Sequence, residues 1–186
     1  MPHVFNFKHI EILESDERKS LQPVETLMNL IQKVFPRERR KIACEIGPGA
    51  GHFTIPLANL FDKVYAIEIN KEMISYLKKK VDKIGITNIH FILSSSPPLI
   101  EEKINLALFA DVLHELENPE EYLEWTSAIS EGVIVIDWKK ENMSFGPPVE
   151  VRISENEARL MLMKAGFLAE SCEVYPHHYI LVGEKP

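Results

Sequence analysis

A chain of 186 residues with 45% apolar and 26% charged side chains has the make-up of an ordinary globular protein, long enough to bury a core without covalent staples. Its formal charge of -7 repels nucleic-acid phosphates, so nucleic acid is not expected as a partner. No apolar run approaches the ~20 residues that cross a bilayer, the N-terminus has no basic start followed by a long apolar stretch, and two cysteines give no disulfide framework. A cytoplasmic protein without membrane insertion is expected.

In chain order, residues 23–35 place Val24, Leu27, Met28, Ile31, Val34 and Phe35 on one helical face, with Pro23 suited to the first turn. The basic runs at 37–41 and 78–80 read as solvated faces, the second at a helix end where cations oppose the dipole. KIACEI at 41–46 is a short apolar run closed by a Gly/Pro cluster, hence a buried strand in which Cys44 acts as a small hydrophobe. GHFTIPLANLF at 51–61 reads as a helix and KVYAIEI at 63–69 as a second strand. Asn70 then caps a helix to about Val81, with Met73, Ile74 and Leu77 facing inward.

IHFIL at 89–93 and INLALFA at 104–110 are the third and fourth strands. Asn118-Pro119 opens a helix carrying Tyr122, Leu123, Trp125 and Ile129. GVIVID at 132–137 is a β-branched run of the kind buried on both faces. Ser154 with Glu157 forms a capping box before a helix that stops at Gly166, and the tail folds as a hairpin around Tyr175-Pro176. Five strands alternating with helices predict an α/β fold with a doubly wound, mainly parallel sheet, whose ligands sit in the loops after the strands.

The first such loop is EIGPGAG at 45–51. Glycines there let the backbone turn sharply and approach a ligand closely. A dinucleotide fingerprint has the spacing G-x-G-x-x-G. Here the spacing is G-x-G-x-G, and His52 stands where the third dinucleotide glycine permits close helix–strand packing, which counts against a dinucleotide. Glu68, near the end of the second strand, suits the ribose hydroxyls of an adenosine-containing cofactor.

These features resemble the class I S-adenosylmethionine-dependent methyltransferases, in particular the type 11 group related to ubiquinone/menaquinone C-methyltransferases. EIGPGAGHFT at 45–54 is similar to their first motif, VYAIEINKEMI at 64–74 to their second strand, ADVLHEL at 110–116 to the end of their fourth strand, and residues 136–154 to the segment after the fifth. The resemblance implies a seven-stranded Rossmann-like methyltransferase fold with an antiparallel last strand. It further implies a single domain over 1–186, with an N-terminal helical segment at 1–40 and a cofactor-binding core at 41–186. The implied cofactor is S-adenosyl-L-methionine. Gly47, Gly49 and Gly51 would face its methionine part with Glu45 near the amino group; Glu68 would hold the ribose and Ile69 flank the adenine. The stretch after the third strand, LSSSPPLIEEK, lacks the acid that usually holds the adenine amine, leaving Ser95 or Ser96 as weaker acceptors, and Asn105 replaces a usual aspartate. Asp111 is placed on the cofactor as well.

Methyl transfer is a displacement that depends on alignment, and a base is needed only where the acceptor loses a proton. The candidates after strands four and five are Asp111, His114, Glu115, Asp137, Trp138 and Lys139, with Asp111, His114 and Glu115 taken as catalytic. His114 titrates near neutrality, as a base or as a helix-start histidine with a local hydrogen bond. Neither the adjacent Asp111, His114 and Glu115 nor the consecutive His177 and His178 have the spacing of a metal site, so no metal is expected. Residues 138–152 read either as part of an acceptor pocket, with Arg152 or Lys139 touching an anionic or polar group, or as a surface connection. The function expected is methyl transfer to a small-molecule acceptor; the alternative is a non-catalytic S-adenosylmethionine-binding protein or partner subunit.

Overall fold

The computed structural model describes residues 5–186. The first four residues, part of the stretch read for a leader, lie outside the described residues. Two compact units emerge, Asn6–Pro98 and Leu99–Pro186, the second joined by Phe5.

The first unit opens with helices α1 (Ile10–Glu14), α2 (Asp16–Leu21) and α3 (Val24–Val34). Leu27, Met28 and Ile31 recur at helical spacing and are buried, and Phe35 seals the end of α3. Strand β1 (Ile42–Ile46) pairs in parallel with β2 (Lys63–Glu68), and β2 with β3 (Ile89–Leu93). Helix α4 (Thr54–Leu60) begins three residues later than the apolar pattern predicts, because Gly51 (φ +84°) still holds the left-handed region that no helix accommodates. Helix α5 (Lys71–Lys83) starts as expected: the Asn70 side chain accepts the N–H groups of Glu72 and Met73 at 2.8 and 3.3 Å.

The second unit holds β4 (Ile104–Ala110), α6 (Pro119–Ile129), β5 (Ser130–Trp138), α7 (Glu155–Lys164), β6 (Leu168–Ser171) and β7 (His178–Glu184). Strand β5 is buried along nearly its whole length, as its β-branched run requires. It pairs in parallel with β4 and antiparallel with β7, and β6 and β7 form the terminal hairpin. The seven strands run in the order β3-β2-β1-β4-β5-β7-β6, with β7 antiparallel to both of its neighbours. This is the Rossmann-like methyltransferase topology implied by the resemblance.

The capping box of α7 is complete: the Glu157 N–H donates to the Ser154 hydroxyl at 3.3 Å, and the Ser154 N–H donates to the Glu157 carboxylate at 2.7 Å. Ser154→Ala should lower stability by about 1 kcal/mol, a fall of about 2–4 °C in Tm for a chain of this size. A thermal melt in which Ser154→Asp also fails to restore the wild-type value would exclude capping as the cause. On the outer side of the same helix, Arg159 donates to Glu155, to Ser171 and, at 2.7 Å, to the carbonyl of Ala169 on edge strand β6.

Candidate functional site

In residues 6–98 the loop after β1 carries the expected glycines, each in the left-handed region: Gly47 at φ +68°, Gly49 at +52° and Gly51 at +84°. At Gly51 the requirement is also spatial, since a Cβ would lie 2.3 Å from Cδ1 of the buried Leu77. The Gly51 N–H donates to the Pro48 carbonyl at 2.9 Å and the Gly47 N–H to that of Ile67, so the loop is tied to itself and to β2.

Glu45 stands at the end of β1, 2% exposed. Its Oε2 has no hydrogen-bond partner among the described residues, and neither has the Thr54 hydroxyl close by. Burial, opposed in part by Thr54 and reinforced by the charge of Glu68, pushes the Glu45 carboxyl up to about 8. A buried acid with an unused acceptor and no cation fits a ligand that brings an ammonium group. Glu68 is buried too, which raises its pKa, though the N–H groups of Asn70 (2.9 Å), Ile69 and Gly49 hold it in place. Ile69 next to it is half exposed, an apolar surface left open beside an acid. Ser94 closes its own turn by donating to the Ser96 carbonyl at 2.6 Å, and the Ser95 and Ser96 side chains stay exposed.

The N-terminal helices lie over the same loop. Leu13 reaches within 3.3 Å of where a Gly49 Cβ would be. Lys80 donates to Glu14 at 2.6 Å and to the Ala50 carbonyl at 2.9 Å, and Tyr76 and Lys19 also bind Glu14. Lys80 is therefore not part of a solvated face, as the basic run suggested; it ties α1 to the glycine loop. His52 Nε2 donates to the Gln22 carbonyl at 2.8 Å. A cavity of about 190 Å³ remains over Ala50 and Gly51, walled by Leu13, Lys19 and Ile55.

In residues 99–186 the expected groups also cluster. Register pairs Ala110 with Ile136, so the residues that follow β4 meet the end of β5. Asp111 has φ +54°, a strained conformation that aspartate tolerates better than most residues, and its N–H donates to the Ile136 carbonyl. Its carboxylate lies 3.4 Å from Nε2 of the buried His178. His114 and Glu115 occupy the short 3-10 turn that follows. Nδ1 of His114 is 2.6 Å from Oδ1 of the fully buried Asp137, whose other oxygen accepts the His114 N–H at 3.2 Å. Burial works against charge on His114, but Asp137, with Glu115 and Asp111, outweighs it and raises the pKa.

Sequence reasoning placed Asp137 nearby without pairing it to His114, and it missed Tyr179. Tyr179 faces Asp137 across the β5–β7 ladder, buried, with no hydrogen-bond partner for its hydroxyl among the described residues. The parallel register of β4 and β5 was the signal for the first; nothing in residue type signalled the second. Arg152 corrects the reading of 138–152. Its buried guanidinium gives four of its five N–H donors to carbonyls, those of Pro147, Lys139, Glu141 and Phe145, at 2.8–3.0 Å, so it holds this loop together rather than standing open to an anionic ligand.

A methyltransferase domain model matches residues 38–173. A solved S-adenosylmethionine-dependent methyltransferase from Aquifex aeolicus is 29% identical, superposing with a TM-score of 0.85 over 97% of this chain and 98% of its own. Among curated relatives, the ribosomal RNA small subunit methyltransferase A of Mycoplasma mycoides is 43% identical over 30% of this chain. A tRNA/tmRNA (uracil-C(5))-methyltransferase of Campylobacter lari is 34% identical over 53% of it. These matches span only 21% and 30% of the two relatives' own lengths. Among the described residues no helix is long and apolar enough to cross a membrane.

Proposed function

Since the chain belongs to the methyltransferase domain family and has S-adenosylmethionine as its cofactor, we propose that it transfers a methyl group from that cofactor to a small-molecule acceptor. The observation that carries the reading is Glu45: a buried carboxylate with an unused oxygen, set beside a loop of three left-handed glycines. Bound S-adenosylmethionine supplies an electrophilic methyl group on a sulfonium sulfur. Glu45 takes its ammonium group, Gly47, Gly49 and Gly51 let the backbone approach the methionine part, and Glu68 takes the ribose hydroxyls. Ile69 covers the adenine, and Ser95 and Ser96 are assigned to its amine. Asp111 is assigned to the cofactor and, with His114 and Glu115, to the chemistry at the acceptor.

The charge of -7 supports a small acceptor, because contacts to a phosphate backbone need cationic surface. The names of the curated relatives favour a second reading, an RNA acceptor. Calorimetry should show binding of S-adenosylhomocysteine and none of NAD. Transfer of labelled methyl from S-adenosylmethionine, offered a small-metabolite extract and bulk tRNA side by side, separates the readings. Label in the metabolite fraction supports the first, and label in tRNA alone supports the second. Binding without transfer to either would make the chain a cofactor-binding protein or a partner subunit.

A further inference from the structure

The carboxylate of Asp137 is saturated by donors. Oδ1 accepts from Nδ1 of His114 at 2.6 Å and from the Trp138 N–H at 2.8 Å, and Oδ2 accepts from the His114 N–H at 3.2 Å. A carboxylate holding three donors is an ionised acceptor, so Nδ1 carries the ring proton and the lone pair of neutral His114 sits on Nε2. The hydrogen bond of the ring to the described residues is made by Nδ1, not Nε2. A histidine that served only to hold its turn would need the Nδ1 contact and no more. Here the one partner of the ring is fully buried and also holds the His114 backbone N–H, which fixes the orientation of the free nitrogen as well.

We propose that His114 Nε2 takes a proton from the acceptor, with Asp137 as its positioning residue, and that the acceptor is therefore a compound that gives up a proton as it is methylated. This rests on the reading of the chain as a small-molecule methyltransferase. The balance is simple. The acceptor's O–H, N–H or C–H proton moves to Nε2, the pair so freed bonds to the methyl carbon, and the carbon–sulfur pair stays on the sulfur of the departing thioether. The imidazolium formed is stabilised by Asp137 and by the charges of Glu115 and Asp111, the acidic groups that bear on the ring. Tyr179, opposite Asp137 in the ladder and itself raised well above its usual range by burial, stays neutral throughout.

The test uses the full chain, labelled S-adenosylmethionine and a defined panel: catechol, phenol, a primary alkylamine, the carbon acid acetylacetone and bulk tRNA. Wild type should methylate one of the small acceptors, with kcat rising as His114 loses its proton. His114→Gln and Asp137→Asn should each lose about 100-fold or more in kcat while binding S-adenosylhomocysteine as wild type does. In Asp137→Asn the rising, acid-side limb should move to lower pH, and Asp137→Glu should recover part of the rate. An imidazole titration by NMR reads the same shift without turnover and reports whether each variant is folded. Retention of kcat within about tenfold in His114→Gln or an unmoved titration in Asp137→Asn overturns the proposal. Label in tRNA and none in the panel overturns the small-molecule reading instead, and the two variants then decide on the tRNA product whether the base stands. Transfer to no acceptor overturns both.

Discussion

Glu45→Gln should weaken binding of S-adenosylhomocysteine by about 10- to 100-fold, the value of a hydrogen bond to a charged group at about 1.5–3 kcal/mol, while leaving the fold as stable or more so. The two effects have opposite signs because the free protein holds this acid at a cost. With its pKa pushed to about 8 in the folded chain and near 4.5 when unfolded, the folded state binds the extra proton between those values. Stability is therefore full below pH 4.5 and lost as pH rises through 8, by an amount on the order of a few kcal/mol. Glu45→Gln removes that slope. An ammonium group on the ligand reverses the preference, so at pH 7 binding should expel about one proton. Calorimetry in two buffers of different ionisation enthalpy counts it: about one for wild type and none for the variant. Equal affinity and equal proton release in both would leave Glu45 as a core residue and nothing more.

Arg152→Ala should destabilise the chain by about 3 kcal/mol, since four carbonyls lose a charged donor in a buried place. For this length the fall in Tm is about 6–12 °C. Arg152→Lys should recover little, because a compact ammonium cannot span carbonyls drawn from four residues between 139 and 147. The loss should be local first. Gly146, at φ +83°, packs so closely that a Cβ would lie 2.9 Å from the Trp138 ring, and the guanidinium itself lies over that ring at 5.5 Å. Limited proteolysis should cut within 139–147 in the variant before global unfolding; an uncut loop with an unchanged melt would show that the four bonds contribute nothing.

The strands were legible because a buried parallel strand has to be an apolar run, as at 42–46 and 130–138, and the glycine loop because left-handed backbone at 47, 49 and 51 restricts residue type. The late start of α4 was not, since apolar periodicity continues through a glycine whose φ forbids a helix. Contacts between distant residues left no local mark: Lys80 meets Glu14 across 66 positions, and its triple-lysine setting looks like any exposed face. The role of Arg152 stayed open between two readings for a related reason. A guanidinium bound to backbone carbonyls needs no particular neighbours in sequence, so it looks the same as one waiting for an anion. Asp137 lay between these cases, its place fixed by the β4–β5 register but its partner visible only once the turn at 113–115 was built.

The contact of Arg159 with the Ala169 carbonyl bears on self-association. Because the Cys172 N–H bonds back to Ile180, alternation along β6 turns the Ala169 carbonyl outward, where another chain's strand would dock. The guanidinium occupies that acceptor, and β6 is only four residues long. An incoming strand would have to displace the guanidinium from that carbonyl to extend the sheet, so this rim of the molecule resists the edge-to-edge growth that open β-edges invite.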